Sequence, residues 1–125
     1  GLHQNGIHAA MSVTKSFVGL LASILIAEKT IKPEKLVTDY LPELSSTGFA
    51  GATVQQVLDM TTAIQYSEDY NNPKAEVWQY SASATPFKNP NYTGPNNIYE
   101  YLQTVKKIPK QEHGEVFGGH QGCGI

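Results

Sequence analysis

An apolar run over residues 17–27 constrains the fold of this chain more than any other feature of its sequence. The run, FVGLLASILIA, lies inside a pattern of helical spacing that extends from Met11 to Lys29. Apolar side chains fill most of the circumference of such a helix, which therefore needs neighbours on nearly every side. Its 11 residues fall well short of the roughly 20 that a helix needs to cross a bilayer. The sequence predicts a buried helix and no membrane span.

Composition limits the classes of protein to which the chain can belong. It has 125 residues, enough for one domain with a hydrophobic core, and 40% of them are apolar. The net charge is −2 and all nine basic residues are lysines, so the bidentate guanidinium contact to phosphate is missing. These features exclude a disordered tail and a coiled coil, and they argue against a nucleic-acid-binding protein.

Downstream of the apolar run, the pattern predicts short helices joined by long loops. Between Pro33 and Pro42 we expect a helical turn and an extended piece, followed by a loop over residues 45–51. Thr53 is a candidate N-cap for a short helix. The apolar residues of this helix are Val54, Val57, Leu58 and Met60.

Two further helical segments follow. Residues 75–84 are weakly helical, and a loop rich in proline and asparagine comes after them. The packing residues of this segment are Val77, Trp78 and Tyr80. Asn96 or Asn97 caps a last helix, which stops before Pro109. The apolar residues of the last helix are Ile98, Tyr101, Leu102 and Val105. Long ordered loops in a compact domain usually surround a site.

Ser12 and Lys15 carry the sharpest chemical signal. They open the apolar helix three residues apart on one face, so the lysine amine can reach the serine hydroxyl. Backbone N–H groups at a helix start point outward and can stabilise developing negative charge. A lysine half-buried among apolar groups favours its neutral amine, which can take the serine proton. The alternative, on spacing alone, is a capping serine and a lysine whose stem lies along apolar surface.

The remaining reactive side chains indicate no second kind of site. The four histidines are His3, His8, His113 and His120. They show no metal-ligand spacing, and pairing His120 with Cys123 on a glycine-rich segment supplies too few ligands. Glu68 and Asp69 are adjacent and face apart, in a polar, acidic loop over residues 66–73. We therefore predict no metal site.

Four segments together resemble the serine β-lactamase and penicillin-binding-protein superfamily. Residues 11–21, MSVTKSFVGLL, closely resemble its nucleophile helix. Residues 52–62, ATVQQVLDMTT, look like the following helix of class C-like members. Residues 61–70, TTAIQYSEDY, resemble the branch of esterases and 6-aminohexanoate-dimer hydrolases. Residues 114–117, GEVF, are similar to the lead-in to that branch's second catalytic element, so the resemblance covers roughly residues 6–117.

The resemblance implies roles for five residues. Ser12 would be the acylated nucleophile and Lys15 its proton acceptor. Tyr70, or alternatively Tyr66, would line the cleft and donate a hydrogen bond to substrate; the other interpretation of either tyrosine is loop packing. Ser81 would lie where this branch tunes amide against ester hydrolysis. The implied activity is a serine hydrolase of carboxylic esters or short amides, with β-lactams as a further possibility and no cofactor.

The end of the chain departs from the family pattern. The resemblance calls for a tyrosine with a nearby asparagine soon after the lead-in, then a Lys/His-Ser/Thr-Gly strand, and neither follows Phe117. We therefore expect a mostly α chain in which residues 1–117 are a truncated family domain. It would hold the nucleophile helix (11–29) and helical lobe (30–110) of a β-lactamase-like fold, with most of the α/β sheet missing. Residues 118–125 would be a divergent glycine-rich tail.

Two functional hypotheses follow from this reasoning. The first is a serine hydrolase acting on a small-molecule ester or amide, and the second is a catalytically incompetent helical fragment. Without the sheet that would cover the apolar helix, we expect an exposed apolar patch and self-association through that helix. Nucleic acid is not an expected partner, and no membrane span is expected. The location stays open between the cytoplasm and the periplasm of a bacterium.

Overall fold

A computed structural model describes residues 3–115, and helices are its dominant regular elements. The helices are α1 (Val13–Ala27), α2 (Val37–Tyr40), a 3₁₀ helix (Pro42–Leu44), α3 (Val54–Leu58), α4 (Glu76–Ala84) and α5 (Ile98–Leu102). Extended pairing within the described range is limited to two isolated antiparallel bridges, Leu36 with Thr53 and Ile64 with Lys107. The expectation of a mostly α chain with little sheet is confirmed.

The chain divides into two compact units after Pro33. The first unit contains α1, and the second begins at Glu34 and contains the other helices. The predicted glycine-rich tail, with His120 and Cys123, lies outside the described residues, as does Phe117. Between residues 3 and 115, none of the helices is both long enough and apolar enough to cross a membrane.

Helix α1 begins after Ser12 and ends at Ala27, inside the predicted bounds of residues 11–29. It contains no buried residue, and its large apolar side chains face solvent; Phe17, for example, is 63% exposed. The prediction of a buried helix is therefore wrong for this chain, whereas the expected exposed apolar patch is present. The physical reason is that the short first unit has too few other apolar residues to cover a helix that is apolar nearly all round.

Two backbone hydrogen bonds close the C-terminal end of α1. The N–H of Lys29 donates to the Ile26 carbonyl oxygen at 2.9 Å, and that of Thr30 to the Leu25 oxygen at 2.9 Å. Lys29 has a φ of 60°, the left-handed conformation that this closing motif requires. The sequence has no glycine here that would indicate the end of the helix, so its helical pattern continues to Lys29, whereas α1 ends at Ala27.

Helix α3 has the predicted N-cap but is shorter than predicted. The Thr53 hydroxyl oxygen accepts from the Gln56 N–H at 3.2 Å, and the Gln56 side-chain oxygen accepts from the Thr53 N–H at 2.9 Å. This reciprocal capping box fixes the start of the helix. Met60, predicted inside the helix, lies two residues beyond it with a φ of 55°. Its N–H donates to the Val57 oxygen at 3.1 Å, so α3 ends in the same way as α1.

Helices α4 and α5 lie beside each other at the core of the second unit. Helix α4 agrees with the predicted segment 75–84, and Asn97 caps α5 by accepting from the Glu100 N–H at 2.9 Å. Helix α5 ends at Leu102, so Val105 is a buried residue of the following loop and not of the helix. The core consists of Leu44, Phe49, Ile64, Tyr66, Ala75, Val77, Tyr101 and Val105. Most of these residues lie on loops and short turns.

Side chains that reach across to the backbone fix those loops. His113 accepts from the Ala63 N–H through Nδ1 at 3.0 Å, and its Nε2 lies 3.0 Å from the Ala50 carbonyl oxygen. A carbonyl can only accept, so the tautomer with its proton on Nε2 satisfies both contacts. His113 thereby joins two separate loop positions, Ala50 and Ala63, to a third segment of the chain.

Lys88 ties down the loop that follows α4. Its ammonium donates to the carbonyl oxygens of Ala82 and Ser83 at 2.7 and 2.6 Å, and it lies 5.4 Å from the centre of the Tyr92 ring. A cation at this end of a helix satisfies carbonyls that have no partner within the helix. The contact orders a segment that sequence patterns identify only as a loop.

Candidate active site

Ser12 occupies the N-cap position of α1 without capping the helix. Its side chain makes no capping hydrogen bond, and its backbone is helical, with φ of −64° and ψ of −15°. A residue that caps a helix through its side chain normally has an extended backbone. The interpretation of Ser12 as a capping serine is therefore wrong: the residue is exposed and the helix does not use its hydroxyl.

The residue before Ser12 has a strained backbone. Met11 has a φ of 50°, in the left-handed region that a residue with a Cβ seldom adopts. Such a conformation costs about 1–3 kcal/mol, and residues of this kind cluster at functional sites. The strain lies at the point where the chain enters the helix start that carries Ser12.

Lys15 lies one turn along α1 from Ser12. Its backbone N–H donates to the Ser12 carbonyl oxygen at 3.0 Å, and residues three apart on a helix lie on the same side. The two predicted catalytic residues are therefore neighbours in the first turn of α1. Lys15 is exposed and not half-buried as expected, because no apolar layer covers this end of α1.

The N–H groups in the first turn of α1 are already engaged. Three of them donate to carbonyl oxygens three residues back: Val13 to Ala10 at 3.1 Å, Thr14 to Met11 at 3.1 Å and Lys15 to Ser12 at 3.0 Å. The expected group of outward-pointing donors is therefore not formed by residues 13–15. The N–H of Ser12 itself takes no part in these three bonds.

Tyr66 is a core residue of the second unit. It is 5% exposed, and its ring meets that of Tyr80 edge to face, with centroids 6.2 Å apart and planes at 87°. Burial, followed by the nearby Glu68 carboxylate, raises the pKa of Tyr66 well above its usual value. The packing interpretation therefore fits Tyr66, since a contact with substrate would require its hydroxyl to leave the core.

Tyr70 and Trp78 form an exposed aromatic pair in the same unit. Their ring centroids are 5.9 Å apart, and the indole Nε1 of Trp78 donates to the Asn72 carbonyl oxygen at 3.0 Å. Sequence patterns favoured Trp78 as a packing residue, but much of its ring faces solvent. The sequence signal that could have identified this exposed pair is a tryptophan that closely follows an acidic loop.

Ser81 lies on α4 and is exposed. Its carbonyl oxygen accepts from the Thr85 N–H at 3.1 Å and from the Thr85 hydroxyl at 2.8 Å, which closes the end of the helix. The buried serine of this helix is Ser83, whose hydroxyl donates to the Tyr80 oxygen at 2.7 Å. Ser81 is therefore the α4 serine that faces solvent, as a role toward substrate would require.

A polar cavity of about 180 Å³ lies beside the start of α4. Glu76 lines it and accepts from the Gln65 side-chain amide and the Ser67 N–H, both at 3.1 Å. Lys74 and Lys106 lie in its wall. No spacing in the sequence marks this cavity, because its lining comes from three separate segments.

Potential metal ligands do not gather in the part of the chain that the structure describes. Over residues 3–115, no group of three or more histidine, cysteine, aspartate or glutamate side chains is arranged so that it could hold a metal ion. His113 contacts the backbone through both ring nitrogens. Its role in the structure is to join loops.

Comparisons with known proteins agree with the motifs around α1 and α3. The beta-lactamase family model matches residues 2–105. The 6-aminohexanoate-dimer hydrolase of Paenarthrobacter ureafaciens is 40% identical over 99 residues, which cover 79% of this chain and 25% of that protein. The chain thus spans about a quarter of the length of this curated relative.

A solved structure shows the same likeness. It belongs to a Bacillus anthracis protein provisionally named a 6-aminohexanoate-dimer hydrolase, with a TM-score of 0.67 and 34% sequence identity. The similarity covers 87% of this chain and 29% of that one. The resemblance inferred from the motifs is confirmed, and the chain belongs to the beta-lactamase family.

Proposed function

We propose that the chain carries the nucleophile of a serine hydrolase, with Ser12 as nucleophile and Lys15 as base. One observation carries the proposal: an exposed serine hydroxyl that the helix does not use, with a lysine one turn along the same side of α1. Family membership and the names of the two relatives support a hydrolytic activity. In this proposal residues 11–29 are the nucleophile helix and residues 30–110 the helical lobe.

The proposed reaction is acyl transfer in two steps. Ser12 Oγ attacks the carbonyl carbon of an ester or amide while its proton passes to the side-chain amine of Lys15. The N–H of Ser12, which lies outside the bonds of the first helical turn, is available to the developing oxyanion. Collapse expels the alcohol or amine, which takes the proton from Lys15, and leaves the acyl group on Ser12. Water then hydrolyses the acyl-enzyme, and the scheme needs no cofactor.

Carboxylic esters and short amides are the substrates that we propose. Both relatives are named for hydrolysis of the 6-aminohexanoate dimer, whose two halves are joined by an amide bond. The exposed Tyr70 is a better candidate than the buried Tyr66 for a hydrogen bond to substrate. Ser81, exposed on α4, is the candidate for tuning amide against ester hydrolysis.

The test is intact-mass spectrometry of the chain after incubation with a fluorophosphonate and, separately, with p-nitrophenyl acetate. We expect one covalent adduct on the wild type and none on Ser12→Ala. Ser16→Ala is the matched control, because Ser16 is an exposed serine on the same helix, and it should label like the wild type. Lys15→Met should slow labelling by roughly 10²-fold or more, since it removes the base but keeps the length of the side chain.

Two results would contradict the proposal. The first is no adduct on a wild-type chain whose circular dichroism shows a folded protein, which would favour the second hypothesis, an incompetent helical fragment. The second is labelling that persists in Ser12→Ala, which would place the nucleophile at another residue. Circular dichroism of each variant must match the wild type, so that lost labelling is not lost structure.

A further inference from the structure

We propose that the polar cavity beside the start of α4 binds a small carboxylate ion, a function beyond the hydrolysis proposed above. The cavity has a volume of about 180 Å³. Its lining combines two buried residues, Tyr101 and Val105, with two exposed lysines, Lys74 and Lys106. Solvent therefore reaches the cavity from the side that carries the cations.

The charge of the lining favours an anion. Within residues 3–115, neither lysine of the cavity has an ion-pair partner. Glu76 supplies a carboxylate to the lining, but its two oxygens already accept from the Gln65 side-chain amide and the Ser67 N–H, both at 3.1 Å. Two lysines and one glutamate give the described lining residues a net charge of +1. A positive recess attracts anions, and each ammonium group has three donors to offer.

The Tyr101 hydroxyl lacks a strong acceptor. The residue is 2% exposed, and its hydroxyl donates to the Glu76 carbonyl oxygen at 3.5 Å, whereas a usual O–H···O bond is about 2.7–2.8 Å long. Burial, with the Glu76 carboxylate adding to it, raises the pKa of Tyr101 to about 12, so the hydroxyl keeps its proton at neutral pH. Buried donors normally have a partner. A carboxylate oxygen in the cavity would give this donor a shorter, charge-assisted bond.

Hydrogen bonds between segments form the cavity before any ligand binds. The Gln65 N–H donates to the Lys106 carbonyl oxygen at 2.7 Å, next to the bridge of Ile64 with Lys107. The Glu76 carboxylate joins the start of α4 to the segment that carries Gln65. Helices α4 and α5 lie beside each other on the remaining side. A preformed cavity reduces the conformational entropy lost on binding.

Volume and donors together identify the class of ligand. A cavity of about 150 Å³ accommodates benzene, so the volume of about 180 Å³ suits a ligand of about six non-hydrogen atoms. A phosphate dianion fits less well, because Glu76 lies in the wall and the chain has no arginine for a bidentate contact. A short monocarboxylate such as butyrate fits better. Its carboxylate would contact the ammonium groups and the Tyr101 hydroxyl, and its alkyl tail would contact Val105.

Saturation-transfer difference NMR of the butyrate methyl group measures binding to the full chain. Parallel titrations use butyramide, a neutral molecule with the same shape and tail, and n-butylammonium, which has the opposite charge; sodium chloride keeps the ionic strength equal. We expect saturable binding of butyrate with a Kd on the order of 1 mM. Both other molecules should bind at least roughly fivefold more weakly. Butyramide also controls for binding of the shared tail to the exposed apolar face of α1.

Variants of the lining remove one contact each. Tyr101→Phe keeps the ring and should weaken butyrate binding roughly fivefold, because it removes a hydrogen bond to a charged group. Lys74→Gln and Lys106→Gln should weaken it roughly threefold each and about tenfold together. The matched control is Lys107→Gln, which loses the same charge one residue away. Lys107 pairs with Glu112 at 3.0 Å and does not line the cavity, so this variant should stay within about twofold of the wild type.

Two results would overturn the proposal. Equal binding of butyrate and butyramide to the wild-type chain would show that the carboxylate is not recognised, and this comparison depends on no variant. Unchanged butyrate binding by the double lysine variant, with native circular dichroism, would place the ligand outside the cavity. Neither measurement requires Ser12 to react, so failure of this inference and failure of the proposed hydrolysis are separate results.

Discussion

At the scale of single residues, Tyr66 and Tyr101 bury their phenols in the core, and burial raises the pKa of both. The pKa of Tyr101 rises to about 12, with the Glu76 carboxylate adding to the effect of burial. In the unfolded chain both groups ionise near pH ~10. The folded protein therefore keeps protons that the unfolded chain loses above that pH. Their contribution to stability is complete below about pH 10 and is lost as the pH rises toward about 12.

We predict that the protein loses stability at alkaline pH and that Tyr101→Phe reduces this loss. The free energy of unfolding of the wild type should be level below about pH 10 and fall above it. At about pH 12 the fall should be smaller in the variant than in the wild type, by on the order of 2–3 kcal/mol. Removing the hydroxyl should change the free energy of unfolding little at neutral pH, because the bond that it donates to the Glu76 backbone carbonyl oxygen is long, at 3.5 Å. Urea unfolding followed by circular dichroism across this pH range gives the measurement.

The matched control for the alkaline series is Tyr99→Phe. It removes a phenol from the same helix at a position that is exposed and not buried. Its pH profile should follow the wild type. If the free energy of unfolding fell equally steeply with pH in the wild type and in Tyr101→Phe above pH ~10, burial of Tyr101 would not be the cause of the alkaline loss of stability.

At the scale of secondary-structure elements, the starts of α3 and α5 were predictable from the sequence, and the ends of α1 and α3 were not. Thr53 and Asn97 cap α3 and α5 as their side-chain chemistry predicts, because an N-cap is a contact within three or four residues. Lys29 and Met60 close α1 and α3 in the left-handed conformation, which a glycine would have indicated. Both helices consequently end before their helical patterns do.

We predict that Met60→Gly stabilises the second unit. The substitution removes the strain of a Cβ at a φ of 55°, a gain of roughly 1–2 kcal/mol, against a loss of about 0.5–1 kcal/mol from the greater freedom of the unfolded chain. The net gain in unfolding free energy should be up to about 1 kcal/mol. Met60→Ala keeps the Cβ and should give no gain. A Met60→Gly variant less stable than Met60→Ala in denaturant titration would show that the left-handed strain is negligible.

At the scale of the whole molecule, the exposed apolar face of α1 is the dominant surface feature. Phe17, Leu21 and Ile24 follow one another at helical spacing, and all three are exposed. Contiguous apolar surface of this kind marks interaction sites or regions prone to aggregation. Self-association through α1 therefore stays our expectation for the isolated chain.

We predict that the wild-type chain sediments as a concentration-dependent oligomer. The double substitution Phe17→Lys and Leu21→Lys should shift it to a monomer, because lysine keeps helix propensity but charges the apolar face. Phe87→Lys is the control, since Phe87 is a highly exposed aromatic residue outside α1. Sedimentation velocity over a concentration series makes the measurement. A wild-type chain that stays monomeric at the highest concentration would refute the prediction.

Sequence alone determined the helical class of the chain, the family to which it belongs, and the one-turn spacing of Ser12 and Lys15. These properties rest on contacts within a few residues, which periodicity and motifs record directly. Only the tertiary structure decided that Tyr66 is core while Tyr70 is exposed, although four positions separate them in one loop. It also decided that His113 joins distant loops. Such outcomes depend on which segments meet in space, and burial of a side chain is set by those distant neighbours and not by its local pattern.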